Sequence, residues 1–244
     1  LIVEDNADVV FYLQLLLQNT YHIDTATDGR AGLTHAFEHV PDIIISDVMM
    51  PGMDGFEVCK TLKTDMRTSH IPVILLTARA DISSKIAGLQ HGADAYLTKP
   101  FHKEELFIRL EKLLELRKHL QARYANAGAD LPLAPHPTLE DTFMQRVRGI
   151  LESHLDDDAF GVPDLCKALT MSRAQLYRKF QALTDQPVAQ YFRDLRLHKA
   201  KTLLRNTNLR VSEIAFEVGF KDPAHFTRAF EEAFGTSPSK WRKG

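Results

Sequence analysis

Two runs of consecutive apolar residues, Ile43-Ile44-Ile45 and Val73-Ile74-Leu75-Leu76, constrain this chain most tightly. A strand that is apolar at every position must be covered on both faces, as happens in parallel sheets packed between helices. Leu1–Glu4, His22–Ala26 and Ala95–Leu97 read as further strands. Amphipathic stretches near 7–18, 30–39, 55–65 and 82–91 read as the helices between them, and 103–123 as a last one. Alternation of this kind predicts an α/β domain with a doubly wound, five-stranded parallel sheet. In such sheets, ligands bind beyond the carboxyl ends of the strands.

The alternation stops near residue 124. Residues 125–138 lack periodicity and contain Pro132, Pro135 and Pro137, so they read as a partly stiffened linker. From 139 to 244 the pattern is helical throughout, and a chain of 244 residues is long enough for two separate cores. The expected layout is therefore 1–124, a linker at 125–138, and an all-α domain at 139–244. No apolar run of about 18 residues occurs, so no membrane contact is expected of these residues. The two cysteines, Cys59 and Cys166, fall inside predicted helices, where they read as small buried hydrophobes in a reducing, cytoplasmic compartment. Leu1 already reads as strand, which suggests a chain cut from something longer.

Charge is unevenly spread. Residues 1–124 carry 13 Lys and Arg against 17 Asp and Glu, while 125–244 carry 17 against 15. Within 167–210, ten basic residues (Lys167, Arg173, Arg178, Lys179, Arg193, Arg196, Lys199, Lys201, Arg205 and Arg210) face only Asp185 and Asp194. A basic stripe on one half points to a polyanionic partner for that half.

The predicted strand ends carry chemistry. Glu4 and Asp5 follow the first strand, Asp47 the third, Thr77 the fourth and Lys99-Pro100 the fifth. Carboxylates brought together repel unless a cation holds them, and an all-oxygen set suits Mg²⁺. A hydroxyl and an ammonium beside them supply the donors and positive charge that a transferred phosphoryl group needs. These residues, with Asp42-Ile-Ile-Ile-Ser-Asp47, Met50-Pro-Gly-Met-Asp-Gly55, Thr77-Ala78 and Lys99-Pro100-Phe101, resemble a response-regulator receiver domain of flavodoxin-like fold. The resemblance extends over 1–123. It implies that Asp47 is the phosphoacceptor, taking the group from a histidine kinase phosphodonor. It further implies that Glu4, Asp5, Asp47 and the Met49 carbonyl hold Mg²⁺, that Thr77 and Lys99 bind phosphoryl oxygens, and that Tyr96 is the aromatic switch. A cis peptide before Pro100 is implied as well.

In the helical half, Leu176-Tyr-Arg178-Lys-Phe180 recurs fifty positions later as Phe226-Thr-Arg228-Ala-Phe230. Helix, tight turn and second helix, present twice, spell two helix-turn-helix units. Ser172-Arg-Ala-Gln175 reads as a capping box, and Asp222-Pro223 places a good cap before a proline at the first helical position. Leu176, Phe180 and Leu183 form one apolar face, and Phe226, Phe230 and Phe234 the other. The opposite faces carry Arg173, Ala174, Tyr177 and Arg178, then Ala224, His225 and Arg228, as candidate contacts to double-stranded DNA. Lys and Arg on the long helix 187–206 would mostly meet phosphate or solvent.

With Met171-Ser172, Arg196-Leu197, Ala200, Leu203-Leu204, Ile214-Ala215, Val218-Gly-Phe220, Phe234-Gly235, Ser237-Pro238 and Trp241-Arg242, this half resembles the AraC/XylS-type DNA-binding domain. Together the two resemblances imply a two-component transcriptional regulator, a homodimer when phosphorylated, with RNA polymerase as a further partner. The residues present would not themselves be an enzyme. An alternative is the regulatory C-terminal portion of a hybrid sensor histidine kinase whose kinase part precedes Leu1. His35 and His39 have the spacing of two zinc ligands but lack a third, and Asp156-Asp157-Asp158 reads as a turn.

Overall fold

The computed structural model describes residues 1–78, 92–128 and 137–243. The expected helix at 82–91 lies outside the described residues, as does most of the linker. Five strands, β1 (Ile2–Val3), β2 (Thr25–Ala26), β3 (Ile44–Asp47), β4 (Val73–Thr77) and β5 (Ala95–Thr98), form one sheet in the order β2-β1-β3-β4-β5. Every pairing is parallel. The two apolar runs named from the sequence are the adjacent central strands β3 and β4, and β4 is buried at every residue.

Helices cover both faces of the sheet. Helices α1 (Ala7–Leu17) and α4 (Lys103–Tyr124) share a core with one face, where Leu13, Leu106, Leu110 and Leu113 meet Ile45, Ile74 and Leu76. Helices α2 (Gly29–His39) and α3 (Gly55–Thr64) cover the other face, with Leu33, Ala36, Val58 and Leu62 against Val3, Ile44, Val73 and Leu75. Three of these helices open on capped turns. Asn6, Asp28 and Asp54 each accept backbone N–H bonds through their side chains, satisfying donors that a helix start leaves free.

The helical half follows with α5 (Leu139–Glu152), α6 (Val162–Leu169), α7 (Arg173–Thr184), α8 (Val188–Asn206), α9 (Val211–Glu217), α10 (Pro223–Phe234) and α11 (Pro238–Lys243). The residues pack as two units. One comprises Leu1–Gln121 with Ala174–Leu183, the other Ala122–Arg173 with Thr184–Gly244. The division thus falls inside α4, three residues before its end, and groups most of α7 with the sheet. Within that first unit the Lys179 Nζ donates to the Met66 carbonyl at 2.5 Å and to Ser69 Oγ at 3.1 Å. In the second unit, Leu197, Ala200 and Leu204 of α8 pack with Ile214, Val218, Phe226 and Phe230. Gly219 turns the chain between α9 and α10 at φ +73°, and a Cβ there would lie 2.3 Å from the Leu155 carbonyl oxygen, so only glycine fits. Asp222 then caps α10, accepting from the N–H of Ala224 at 2.9 Å and of His225 at 3.3 Å, with Pro223 as the first helical residue. No described helix is long and apolar enough to cross a membrane.

Candidate functional sites

Parallel register gathers the acidic residues. Val3 pairs with Ser46, which sets Glu4 and Asp5, just past β1, beside Asp47 at the end of β3. Thr77 ends β4 and pairs with Thr98, so Lys99 emerges next to it from β5. The peptide between Lys99 and Pro100 is cis.

One oxygen from each of Glu4, Asp5 and Asp47 lies within 4.8 Å of the others, the sole such group of potential metal ligands among the described residues. Glu4, Asp47 and Thr77 are buried, whereas Asp5 is exposed and open to solvent. The Lys99 ammonium bridges two of the carboxylates, at 2.7 Å from Glu4 Oε2 and 2.9 Å from Asp47 Oδ1. Burial works against the lysine charge, but the bonds to Glu4 and Asp47 overcome it and raise the pKa of Lys99. Burial, aided by the neighbouring Asp47, raises that of Glu4 despite the lysine. An all-carboxylate oxygen donor set, with one member facing solvent, fits a hard divalent cation that keeps several waters.

Met49 is highly exposed, and its carbonyl belongs to the loop following Asp47. Tyr96 is half-buried against the core on the α2 and α3 side. Its hydroxyl is buried without a hydrogen-bond partner among the described residues, and burial pushes its phenol up to about 12.

Two residues near the cluster were not singled out from the sequence. Asn6 caps α1, and its backbone N–H donates to Glu4 Oε1 at 3.2 Å, fixing that carboxylate. Gly55 opens α3 so close to β3 that a Cβ would lie 2.2 Å from the Asp47 carbonyl oxygen. The glycine stands in the Met-Pro-Gly-Met-Asp-Gly run, so the signal was present; the contact that requires it was not.

In the helical half, Leu176, Phe180 and Leu183 are buried, while Arg173, Ala174, Tyr177 and Arg178 lie on the exposed side of α7. Phe226 and Phe230 are buried and Phe234 half-buried on α10, with Ala224, His225 and Arg228 exposed. Each recognition helix therefore separates a packing face from a polar face.

The basic stripe is less available than the sequence suggests. Lys179 is fully buried. On α8, Lys201 lies 4.3 Å from the centroid of the Trp241 ring and Arg205 4.5 Å from it, cation over aromatic face. Arg196 stacks 4.2 Å from the Phe192 ring and donates to the Asp157 carbonyl at 2.7 Å. Arg196 and Lys201 thus meet rings and carbonyls as well as solvent, while Lys199 and Arg205 are exposed, which narrows the expectation for 187–206. Asp157 holds a turn, accepting from the Ala159 N–H at 2.9 Å, and the His35 and His39 rings stack 4.3 Å apart.

Comparison with known proteins adds a family context. The response regulator receiver domain family matches residues 1–111, and a helix-turn-helix domain family matches residues 165–244. The chain is 35% identical over 243 residues to "Histidine kinase P4" of Formosa agariphila, covering 99% of this chain and 18% of that protein. It is 42% identical over 115 residues to the response regulator ArlR of Staphylococcus aureus, covering 47% of this chain and 51% of that one. A solved structure of the C-terminal domain of the two-component response regulator yesN from Fusobacterium nucleatum is 30% identical. It covers 41% of this chain and 98% of its own, with a TM-score of 0.39. The chain thus spans about half or less of the curated relatives it matches.

Proposed function

We propose that this chain joins a response regulator receiver domain to an AraC-type helix-turn-helix domain, and that phosphoryl transfer to Asp47 controls its sequence-specific binding to double-stranded DNA; the family matches to 1–111 and 165–244 support this reading. The observation that carries this reading is the cluster of Glu4, Asp5 and Asp47 with the Lys99 ammonium bridging two of its members. The site belongs to a cytoplasmic regulator, and 1–124 and 139–244 are its working domains, joined through 125–138.

Asp47 Oδ attacks the phosphorus of a phosphohistidine on the donor kinase. The O–P bond forms as the P–N bond breaks, and the imidazole keeps the electron pair and takes up a proton. Glu4, Asp5, Asp47 and the Met49 carbonyl would hold Mg²⁺, which when bound offsets the negative charge gathered there. Lys99 and the Thr77 hydroxyl donate to phosphoryl oxygens, and Tyr96 moves with Thr77 as the switch. Arg173, Ala174, Tyr177 and Arg178 meet one stretch of major groove, and Ala224, His225 and Arg228 another. Pairing of phosphorylated receivers into a homodimer raises affinity by letting two effectors bind together, and RNA polymerase is the further partner at the promoter.

The kinase activity named in the Formosa relative is a property of that protein, of which this chain spans 18%. The hybrid-kinase alternative concerns a part that would precede Leu1 and is not the reading adopted for these residues.

Selection of duplexes from a random library, with and without Mg²⁺ and beryllofluoride, tests the proposal. A motif with two contact blocks, enriched by the phosphoryl mimic, is expected, and Asp47→Asn should remove the enrichment. An unchanged beryllofluoride response in that variant would sink the assignment.

A further inference from the structure

Helix α4 begins three residues past Pro100 and runs 22 residues without a break. Its first turns carry Leu106, Leu110 and Leu113 into the core beside the strands that end in Asp47 and Thr77. Its last three residues, Ala122–Tyr124, belong to the second unit. There, Tyr124 is 1% exposed and its hydroxyl donates to Asp141 Oδ1 at 2.7 Å. The Arg123 guanidinium reaches the same oxygen at 2.6 Å. Asp141 Oδ2 accepts from the backbone N–H and the hydroxyl of Thr138, both at 3.0 Å, and the Asp141 N–H donates back to Thr138 Oγ1 at 3.1 Å. Asp141, itself 4% exposed, is thus both the capping-box acid that starts α5 and the acceptor that holds the end of α4.

Surface-exposed capping boxes need no such partner. A buried carboxylate with charge-assisted bonds on one oxygen and cap bonds on the other makes the two helix ends move together, because parting them strands a buried charge. Beyond Thr138, α5 sends Phe143, Met144, Val147 and Leu151 into the interior of the second unit.

Resting on the phosphorylation reading above, we infer that Arg123, Tyr124 and Asp141 form a latch that passes the state of the phosphoacceptor site from α4 to the start of α5. They are positioning residues: none touches phosphate or DNA in this proposal. The latch spans seventeen residues of sequence with side chains alone, so the signal need not travel through residues 125–137.

Hydrogen exchange on the full chain tests this directly, with beryllofluoride and Mg²⁺ as the probe. Wild type should show an activation-dependent change in amide exchange at 139–142, and Tyr124→Phe should lose it while changes within α4 at 103–113 persist. In parallel, Tyr124→Phe should keep the affinity of the unactivated protein for the selected duplex and lose most of the gain caused by beryllofluoride. Absence of any change at 139–142 in wild type overturns the latch. So does an undiminished change there in Tyr124→Phe, or a loss of DNA binding in both states, which would mark a merely structural support. Should Tyr124→Phe fail to fold by circular dichroism, Arg123→Gln replaces it, since Arg123 is exposed and its loss leaves the cap in place. The phosphorylation reading fails separately: wild type would then show no beryllofluoride effect on 103–113 either, or one that survives Asp47→Asn.

Discussion

At the scale of single residues, the site is defined as much by what is missing as by what is charged. Gly55 owes its place to the Asp47 carbonyl, which leaves no room for even one carbon. Gly55→Ala should therefore displace the chain end bearing Asp47 and reduce acceptance of phosphoryl from a small-molecule donor such as acetyl phosphate at least tenfold. Mass spectrometry of the intact protein measures this, and full labelling of the variant would show that the close approach has no functional weight. Cys59 offers a contrasting case. It is completely buried, and burial pushes its thiol up to about 11. Iodoacetamide at pH 8 should leave Cys59 unmodified in the native protein and alkylate it after denaturation, since the thiolate is the reactive form. Tryptic mapping of labelled native protein checks this. The acidic cluster itself was legible because each residue follows a strand in a parallel sheet, where strand ends converge. Asn6 was not, because a backbone N–H bond leaves no side-chain chemistry to read; Gly55 stood in a motif visible in the sequence, but the steric limit that requires it was not visible.

Among elements, local chemistry predicted most of the secondary structure. Helix α1 starts and ends within a residue of the stretch read from periodicity, and β3 and β4 follow the apolar runs. The edge strand β2 covers Thr25–Ala26 rather than 22–26, since only those residues pair with β1. Caps account for several boundaries, and their removal should be measurable. Asp222→Ala leaves two amides of α10 without their acceptor and should cost about 1 kcal/mol in thermal or denaturant unfolding.

Asp141 supplies a pH dependence of known sign. Burial raises its pKa, but the bonds from Tyr124, Thr138 and Arg123 outweigh burial and hold it below the ordinary carboxylate range. A group depressed in the folded state contributes stability above its unfolded pKa, near 3.9, and loses it as pH falls through the folded value. Melting temperatures followed from pH 6 down to about 2.5, across and below the unfolded pKa, should fall more steeply for wild type than for Asp141→Asn. Parallel curves would mean that the carboxylate is not held by its partners in solution. The joining of α4 to α5 escaped the sequence reading because Tyr124 and Asp141 are separated by a stretch with no periodicity to place them on a common face.

Over the whole molecule, net charge is a poor guide to where a polyanion would sit. Several of the ten basic residues in 167–210 are engaged by other groups of the chain: the buried Lys179 by a carbonyl and a hydroxyl, Arg196 by a ring and a carbonyl, and Lys201 and the exposed Arg205 by the Trp241 ring. Sequence alone could not reveal this, because Trp241 lies 40 residues from Lys201 and neither carries a pattern linking them. The exposed Arg173 and Lys199 should behave differently from Lys201. Loss of one phosphate contact lowers the salt slope of DNA affinity by roughly 0.9. Arg173→Ala and Lys199→Ala are each expected to do so, whereas Lys201→Ala should leave the slope alone and lower the melting temperature. Equal slopes for all three variants would contradict this division of the stripe.

The cation-covered ring of Trp241 also gives the protein a natural optical probe. It is the single tryptophan in the chain, packed against Phe230 and Phe234 of α10 at centroid separations of 6.4 Å and 6.2 Å. Light absorbed by indole alone therefore excites only the second unit, while the sheet and its acidic cluster stay dark. An unlabelled sample can thus report the melting of its helical half by emission and that of the whole by calorimetry, in the same buffer and without a dye.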